Sequence, residues 1–137
     1  MSYEEKVRWL RRYRDALRLE EELRQELEAQ RARACKTTAA LTGVSGGNEP
    51  SHDKIPEAVE RILEIINELQ TQMDVCTDTC EEIITFTQSI ADTRLKDIFR
   101  RRYIMGETWE TIAEALGLSS KWVKLLHDKF LHGVNIF

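Results

Sequence analysis

The sequence is poor in cysteine, which cross-links many small secreted proteins, and in proline and glycine, which interrupt helices. Its 137 residues contain three cysteines, an odd number that argues against a disulfide framework, and only two prolines and six glycines. No stretch approaches the roughly 18 consecutive apolar residues of a membrane helix, and residues 1–15 are too charged to form a signal peptide. These absences predict an all-α protein that stays in the cytoplasm and has no membrane partner.

Motifs of enzymes and metal sites are also missing. The sequence has no Ser-His-Asp arrangement, glycine-rich phosphate loop, HExxH or paired-carboxylate signature in a suitable setting. Cys76 and Cys80 are four residues apart and could join His52, His127 or His132 around a metal, but no CxxC or HxxxH pair completes a ligand set. We therefore expect no catalytic activity, no cofactor and no metal, and we expect His127 to be a surface or DNA-facing residue.

The charge is distributed unevenly along the chain. The formal net charge is -4, yet residues 1–52 hold 10 bases and 9 acids, residues 53–93 hold 2 bases and 10 acids, and residues 94–137 hold 8 bases and 5 acids. A partner meets one face of a folded protein rather than its average charge, so the C-terminal segment can approach a polyanion although the whole chain is acidic.

Two long helices are predicted before residue 92. Residues 1–35 lack Pro and Gly and are rich in strong helix formers, residues 36–54 have the Thr, Ser, Gly and Asn of a flexible linker, and residues 55–91 form an acidic helix. Its apolar seam alternates steps of four and three: Ile55, Val59, Ile62, Ile66, Leu69, Met73, Cys76, Cys80, Ile83, Thr87 and Ile90. A less regular seam follows the first helix: Trp9, Tyr13, Ala16, Glu20, Leu23, Leu27, Gln30 and Ala34.

These seams predict a long antiparallel helical hairpin or coiled coil. Further apolar residues outside the second seam widen the face that must be buried, which favours a homo-oligomer formed through the long helices: Leu63, Ile65, Val75, Ile84 and Phe86.

Residues 92–137 predict three short helices around a small core. Asp92, Thr108 and Ser119 are placed to cap the starts of the helices, and Gly106 and Gly117 can end helices in a left-handed conformation. The order of small, turn and apolar residues is that of a helix-turn-helix domain, because two steeply crossing helices need a small side chain at the crossing and a glycine in the turn: Ile112, Ala113, Leu116, Gly117, Leu118, Val123 and Leu126.

In such a domain the last helix, here residues 119–132, enters the DNA groove. The candidate DNA-binding residues are therefore on this helix, with two arginines before it as candidate phosphate contacts: Ser119, Ser120, Lys121, Trp122, Lys124, Leu125 and Asp128, together with Arg100 and Arg101. Asp128 is the exception in charge, since a carboxylate either repels phosphate or accepts a hydrogen bond from a cytosine amino group.

The segment RRRYIMGETWETIAEALGLSSKWVKLLHDKF, residues 100–130, resembles the helix-turn-helix of sigma-70 region 4 in the form used by phage-encoded regulators of the ArpU and RinA type. The residues that carry the resemblance are Arg102, Tyr103, Gly106, Trp109, Ile112, Ala113, Leu116 and Gly117, with Trp9, Leu10, Tyr13 and the stretch Ser51–Lys54 earlier in the chain. The resemblance implies a phage or prophage DNA-binding regulator, often of late or packaging genes, that works with the host RNA polymerase.

The chain departs from that family at several positions. Such proteins commonly carry more arginine in the last helix, where this chain has Leu125 and Asp128, and Thr111 stands where a Glu would complete a capping box. Two other functions stay open: a small DNA-packaging subunit of the terminase type, and a helical protein-interaction adaptor that does not bind DNA.

Overall fold

The computed structural model describes residues 1–42 and 54–136, and all regular structure in these ranges is helical. Within these ranges five helices follow one another: α1 (Tyr3–Thr42), α2 (Lys54–Gln88), α3 (Thr93–Tyr103), α4 (Trp109–Leu116) and α5 (Ser120–Gly133). The prediction of an all-α protein with two long N-terminal helices is confirmed.

The chain divides into two compact units, and the division differs from the predicted one. One unit combines Met1–Leu17 with Val75–Phe137, and the other is Arg18–Asp74. The sequence had suggested separate domains at residues 1–35, 55–91 and 92–137. In the structure, however, the first turns of α1 and the end of α2 belong to the same unit as the three short helices, because their apolar residues share one core.

The unit Arg18–Asp74 is a pair of helix segments. Its buried cluster consists of Leu27 from α1 with Ile65 and Leu69 from α2. An ion pair between Arg61 and Glu26 joins the same two segments at the surface.

The larger unit has a core that all five helices enter. Leu10 of α1, Ile83 of α2, Phe99 of α3, Ile112 of α4 and Val123 of α5 are fully buried in a single cluster. The segments of α1 and α2 run antiparallel here, since Trp9 meets Phe86 and Arg12 pairs with Glu82. The short C-terminal helices are therefore packed on α1 and α2 within this unit.

The predicted seam of α2 agrees with the structure at most of its described positions, since Ile62, Ile66 and Cys80 are half-buried and Thr87 is buried. Leu69, Cys76 and Ile83 are buried as expected, but Val59 and Met73 are exposed, at 48% and 42%. A row one residue before the second heptad position is also buried or half-buried, at Ala58, Ile65, Gln72 and Thr79. Ile65 is buried and the adjacent Ile66 packs against the same cluster as Leu27, so the buried face of α2 is wider than the predicted seam.

The first seam agrees better with the structure, since all eight of its predicted positions in α1 are buried or half-buried. Among the five apolar residues expected to widen the buried face of α2, Ile65 and Phe86 are buried or half-buried, whereas Leu63, Val75 and Ile84 are exposed.

The long helices end at other residues than predicted. Helix α1 continues to Thr42 rather than stopping at residue 35, since no Pro or Gly occurs before Gly43. Residues 43–53 of the predicted linker lie outside the described residues. Helix α2 ends at Gln88 rather than at residue 91, because Asp92 must adopt an extended conformation to cap α3.

The local signals in the C-terminal segment are confirmed. The side chains of Asp92, Thr108 and Ser119 each accept a hydrogen bond from a backbone N–H three residues later, so each satisfies a donor at the start of a helix. Gly106 and Gly117 have positive φ angles of 71° and 67°. These two glycines allow the chain to leave α3 and α4 in a left-handed conformation.

Candidate nucleic-acid interface

Helix α5 has one buried face and one exposed face. Val123, His127 and Leu131 are buried in the core, at steps of four. On the other side Lys121, Trp122, Lys124 and Leu125 are exposed, the indole at 46% and Leu125 at 52%. The turn between α4 and α5 makes this orientation possible, since the Leu118 N–H donates to the Ala113 carbonyl and closes α4 at Gly117.

The two serines at the start of α5 differ in what they can offer a ligand. The Ser119 Oγ already accepts the Trp122 N–H at 3.1 Å, so this side chain is a helix cap. Ser120 is half-buried in the first turn. Of the predicted groove residues, therefore, the exposed row from Lys121 to Leu125 is the part that remains available for contact.

The arginines at the end of α3 have separate roles. Arg100 is exposed. Arg101, predicted to contact phosphate, is instead held by two carboxylates, with Asp97 at 3.1 Å and Glu107 at 3.3 Å. These hydrogen bonds, that of Asp97 foremost, raise the Arg101 pKa. Two acids of its own unit therefore offset part of the positive charge that Arg101 would offer to phosphate.

Arg102 also contributes to the structure of the unit. Its guanidinium lies over the Trp109 ring, 4.4 Å from the centroid, and Nη1 donates to the Glu107 carbonyl at 3.0 Å. Burial lowers the Arg102 pKa. The cation therefore links the end of α3 to the start of α4.

His127 is not on the surface, contrary to the prediction. Its ring is 1% exposed and stacks on Phe99 with centroids 4.9 Å apart. Nδ1 lies 2.8 Å from the Asp128 carboxylate and Nε2 lies 2.6 Å from the Tyr103 hydroxyl. Since an ionised carboxylate only accepts, Nδ1 carries the hydrogen and the Tyr103 hydroxyl donates to Nε2. Burial lowers the His127 pKa, which keeps the ring neutral at pH 7.

Asp128, predicted as a groove residue, is half-buried and hydrogen-bonded within its own unit. Its Oδ1 accepts hydrogen bonds from the Tyr3 hydroxyl at 2.6 Å and from His127 Nδ1 at 2.8 Å. Burial opposes ionisation, but these hydrogen bonds and the charge of nearby Lys124 outweigh it and lower the Asp128 pKa. The carboxylate is therefore engaged inside its own unit through Oδ1.

The start of α1 contacts α5 at a second point. Lys6 is buried and its Nζ donates to the Leu131 carbonyl at 2.8 Å, near the end of α5. A cation there stabilises the carbonyl groups that the helix leaves without partners. Tyr3 and Lys6 thus fix the helix that carries the exposed lysines, and no local sequence signal reveals a contact between residues 125 positions apart.

Further cations lie on α3, beside the end of α4. A shallow groove of about 530 Å³ is lined by Arg94, Lys96, Asp97, Arg100 and Leu116, together with Thr93. Leu116 directly precedes the turn between α4 and α5, so the groove reaches the end of α4. Arg94 and Lys96 were missed by the sequence reasoning, although the spacing of Arg94, Asp97 and Arg100 at steps of three places them on one helical face.

Acidic residues limit the positive surface. Glu110 and Glu114 are exposed on α4, whereas Glu107 is paired with Arg101.

On α5, Lys129 is exposed and adds a third cation beyond the predicted pair of lysines.

No protein-family model, curated protein or solved structure matches this chain. Within residues 1–42 and 54–136, no helix has the length and apolarity needed to cross a membrane. The same residues contain no cluster of three or more His, Cys, Asp or Glu side chains suited to a metal ion.

Proposed function

We propose that this protein binds double-stranded DNA as a transcriptional regulator, with α4 and α5 forming a helix-turn-helix and α5 lying in the major groove. The observation that carries the proposal is the exposed row Lys121, Trp122, Lys124 and Leu125 on a helix whose opposite face is buried. The cations can contact phosphate or guanine acceptors, and Leu125 can contact a thymine methyl group.

The residues around α5 support the same proposal. Gly117 provides the left-handed turn, and Ala113, buried in the middle of α4, leaves room for α5 to cross closely. Arg94 and Arg100 lie in the groove beside this turn, where they can contact the DNA backbone.

The resemblance to regulators of the ArpU and RinA type extends the proposal to a phage or prophage protein that controls late or packaging genes together with host RNA polymerase. Self-association through the long helices would link two DNA-binding units and raise their joint affinity. Exposed Val59 and Leu63 on α2 support self-association, because paired copies would remove them from water. If sedimentation shows a monomer at micromolar concentration, this part of the proposal is wrong.

The direct test is fluorescence anisotropy with duplex fragments tiled across the source genome, over a series of salt concentrations. Each phosphate contact contributes about -0.9 to the slope of log affinity against log salt, so Lys121→Ala with Lys124→Ala should make the slope shallower by about 1.8. The matched control is Arg31→Ala with Lys36→Ala, which removes the same charge from exposed positions of α1.

The outcomes separate the three functions. A preferred fragment upstream of a promoter, lost in the lysine variant but kept in the control, supports a regulator. Preference for a packaging locus supports a packaging subunit instead. Binding no stronger than that of an unrelated acidic protein refutes both and leaves an adaptor, for which exposed Trp122 and Leu125 would be the contact surface.

A further inference from the structure

Asp128 lies on the part of α5 that would face DNA, one turn after Lys124. A carboxylate at this position has two unfavourable options in a DNA complex: it repels phosphate directly, or it pairs with Lys124 four residues earlier and removes that cation from the interface. In the free protein no ion pair joins Lys124 and Asp128 among the described residues, although the charge of Lys124 helps to lower the Asp128 pKa.

The reason is a pair of donors that come from inside the unit. The Tyr3 hydroxyl donates to Asp128 Oδ1 at 2.6 Å, and His127 Nδ1 donates to the same oxygen at 2.8 Å. The Asp128 side chain is only 32% exposed as a result. Tyr3 is itself fixed, because its ring stacks on His132 with centroids 4.7 Å apart and meets the edge of the His127 ring.

We propose that Tyr3 is a positioning residue for DNA binding, which holds the Asp128 carboxylate against His127 and so leaves Lys124 available to phosphate. The inference rests on the proposed function and adds a residue from the opposite end of the chain to it. In this arrangement the first turn of α1 sets the charge that α5 presents, without touching DNA.

The test uses Tyr3→Phe, Asp128→Asn and the double variant in the full-length protein. Phe keeps the ring contacts and removes only the hydroxyl, so the carboxylate loses one of its two donors. The matched control is Tyr13→Phe, which removes a hydroxyl from a half-buried tyrosine of the same helix. The probe is a fluorescein-labelled duplex chosen from the tiled fragments that the wild type prefers.

We expect Tyr3→Phe to weaken binding about fivefold at 0.15 M salt and to make the salt slope shallower by about 0.9, the contribution of one phosphate contact. Asp128→Asn in the Tyr3→Phe background should restore the wild-type affinity and slope, because the amide carries no charge. Tyr13→Phe should leave both unchanged. A purely structural role for Tyr3 gives the opposite pattern, since loss of a second group from the same network would weaken binding further.

A DNA-independent measurement completes the test. Carbon-13 NMR titration of the Asp128 carboxyl group should show its pKa rising in Tyr3→Phe, because one donor to the charged form is gone. If the wild type binds duplex DNA and Tyr3→Phe binds equally well, or if the Asp128 pKa does not move, Tyr3 has no positioning role. If the wild type itself does not bind, the proposed function fails, and this inference fails with it.

Discussion

Truncation of Leu10 to Ala tests whether the start of α1 is part of the C-terminal core. Leu10 is fully buried among residues of the other four helices, including Phe99 and Val123. A Leu→Ala change at such a site costs about 2–5 kcal/mol, from the lost transfer free energy and the cavity left behind. The unit has about 80 residues, for which a total stability of about 4–12 kcal/mol is typical. A cost of about 3 kcal/mol would therefore lower the melting temperature by ~12–24 °C.

Tryptophan fluorescence is the suitable assay for this change. All three tryptophans, Trp9, Trp109 and Trp122, belong to the unit that contains Leu10, so their signal reports on this unit alone. Thermal unfolding should be followed at low protein concentration.

The matched control is Leu125→Ala, since Leu125 lies in the same unit but is 52% exposed. We expect it to change stability by no more than about 0.5 kcal/mol. If Leu10→Ala and Leu125→Ala both melt within a few degrees of the wild type, α1 is not packed into the core of the C-terminal helices.

The two left-handed glycines should have similar tolerance of a methyl side chain, as measured by urea unfolding. Gly117→Ala has open space and should cost about 1 kcal/mol from its positive φ, and Gly106→Ala should cost about the same, because the Arg14 guanidinium that its Cβ would meet is the end of a flexible side chain and can move; a much larger cost at Gly106 would contradict this reasoning. Acid should destabilise the larger unit through His127, whose pKa burial lowers: the unfolded chain binds the proton more readily, so stability is complete above about pH 6.5 and falls as the pH drops below it. A His127→Gln variant whose stability declines equally between pH 7 and 5 would refute this. At high pH Tyr3 should make stability fall as the pH rises, because burial and its hydrogen bond to Asp128 raise its pKa to about 12. The unfolded chain loses this proton first, so stability should decline above about pH 10, and Tyr3→Phe should flatten that decline.

Local chemistry explains why parts of the fold were predictable. A helix cap involves a side chain and a backbone N–H three residues away. Asp92, Thr108 and Ser119 therefore indicate in the sequence itself where their helices begin. Gly117 likewise indicates where α4 ends, because the left-handed residue after a helix is most often glycine. The boundaries of the C-terminal helices followed from such signals.

The candidate interface was predictable only in its exposed part. Lys121, Lys124 and Leu125 are exposed because Val123 and Leu126 face inward, and that pattern is periodic in the sequence. His127 and Asp128 could not be assigned in the same way. His127 lies on the buried face and Asp128 lies at its border, and their roles depend on Tyr103 and Tyr3, which come from other helices.

The sequence by itself determined the all-α class, the helix caps, the glycine turns and the apolar periodicity, because each depends on residues within a few positions of one another. Only the tertiary structure decided that Val59 and Met73 of the predicted α2 seam are exposed, and that α1 closes the C-terminal core. It also decided that Lys6 and Tyr3 hold α5. These contacts join residues 125 positions apart, and the free energy that selects them comes from burial shared by several helices, which no local pattern encodes.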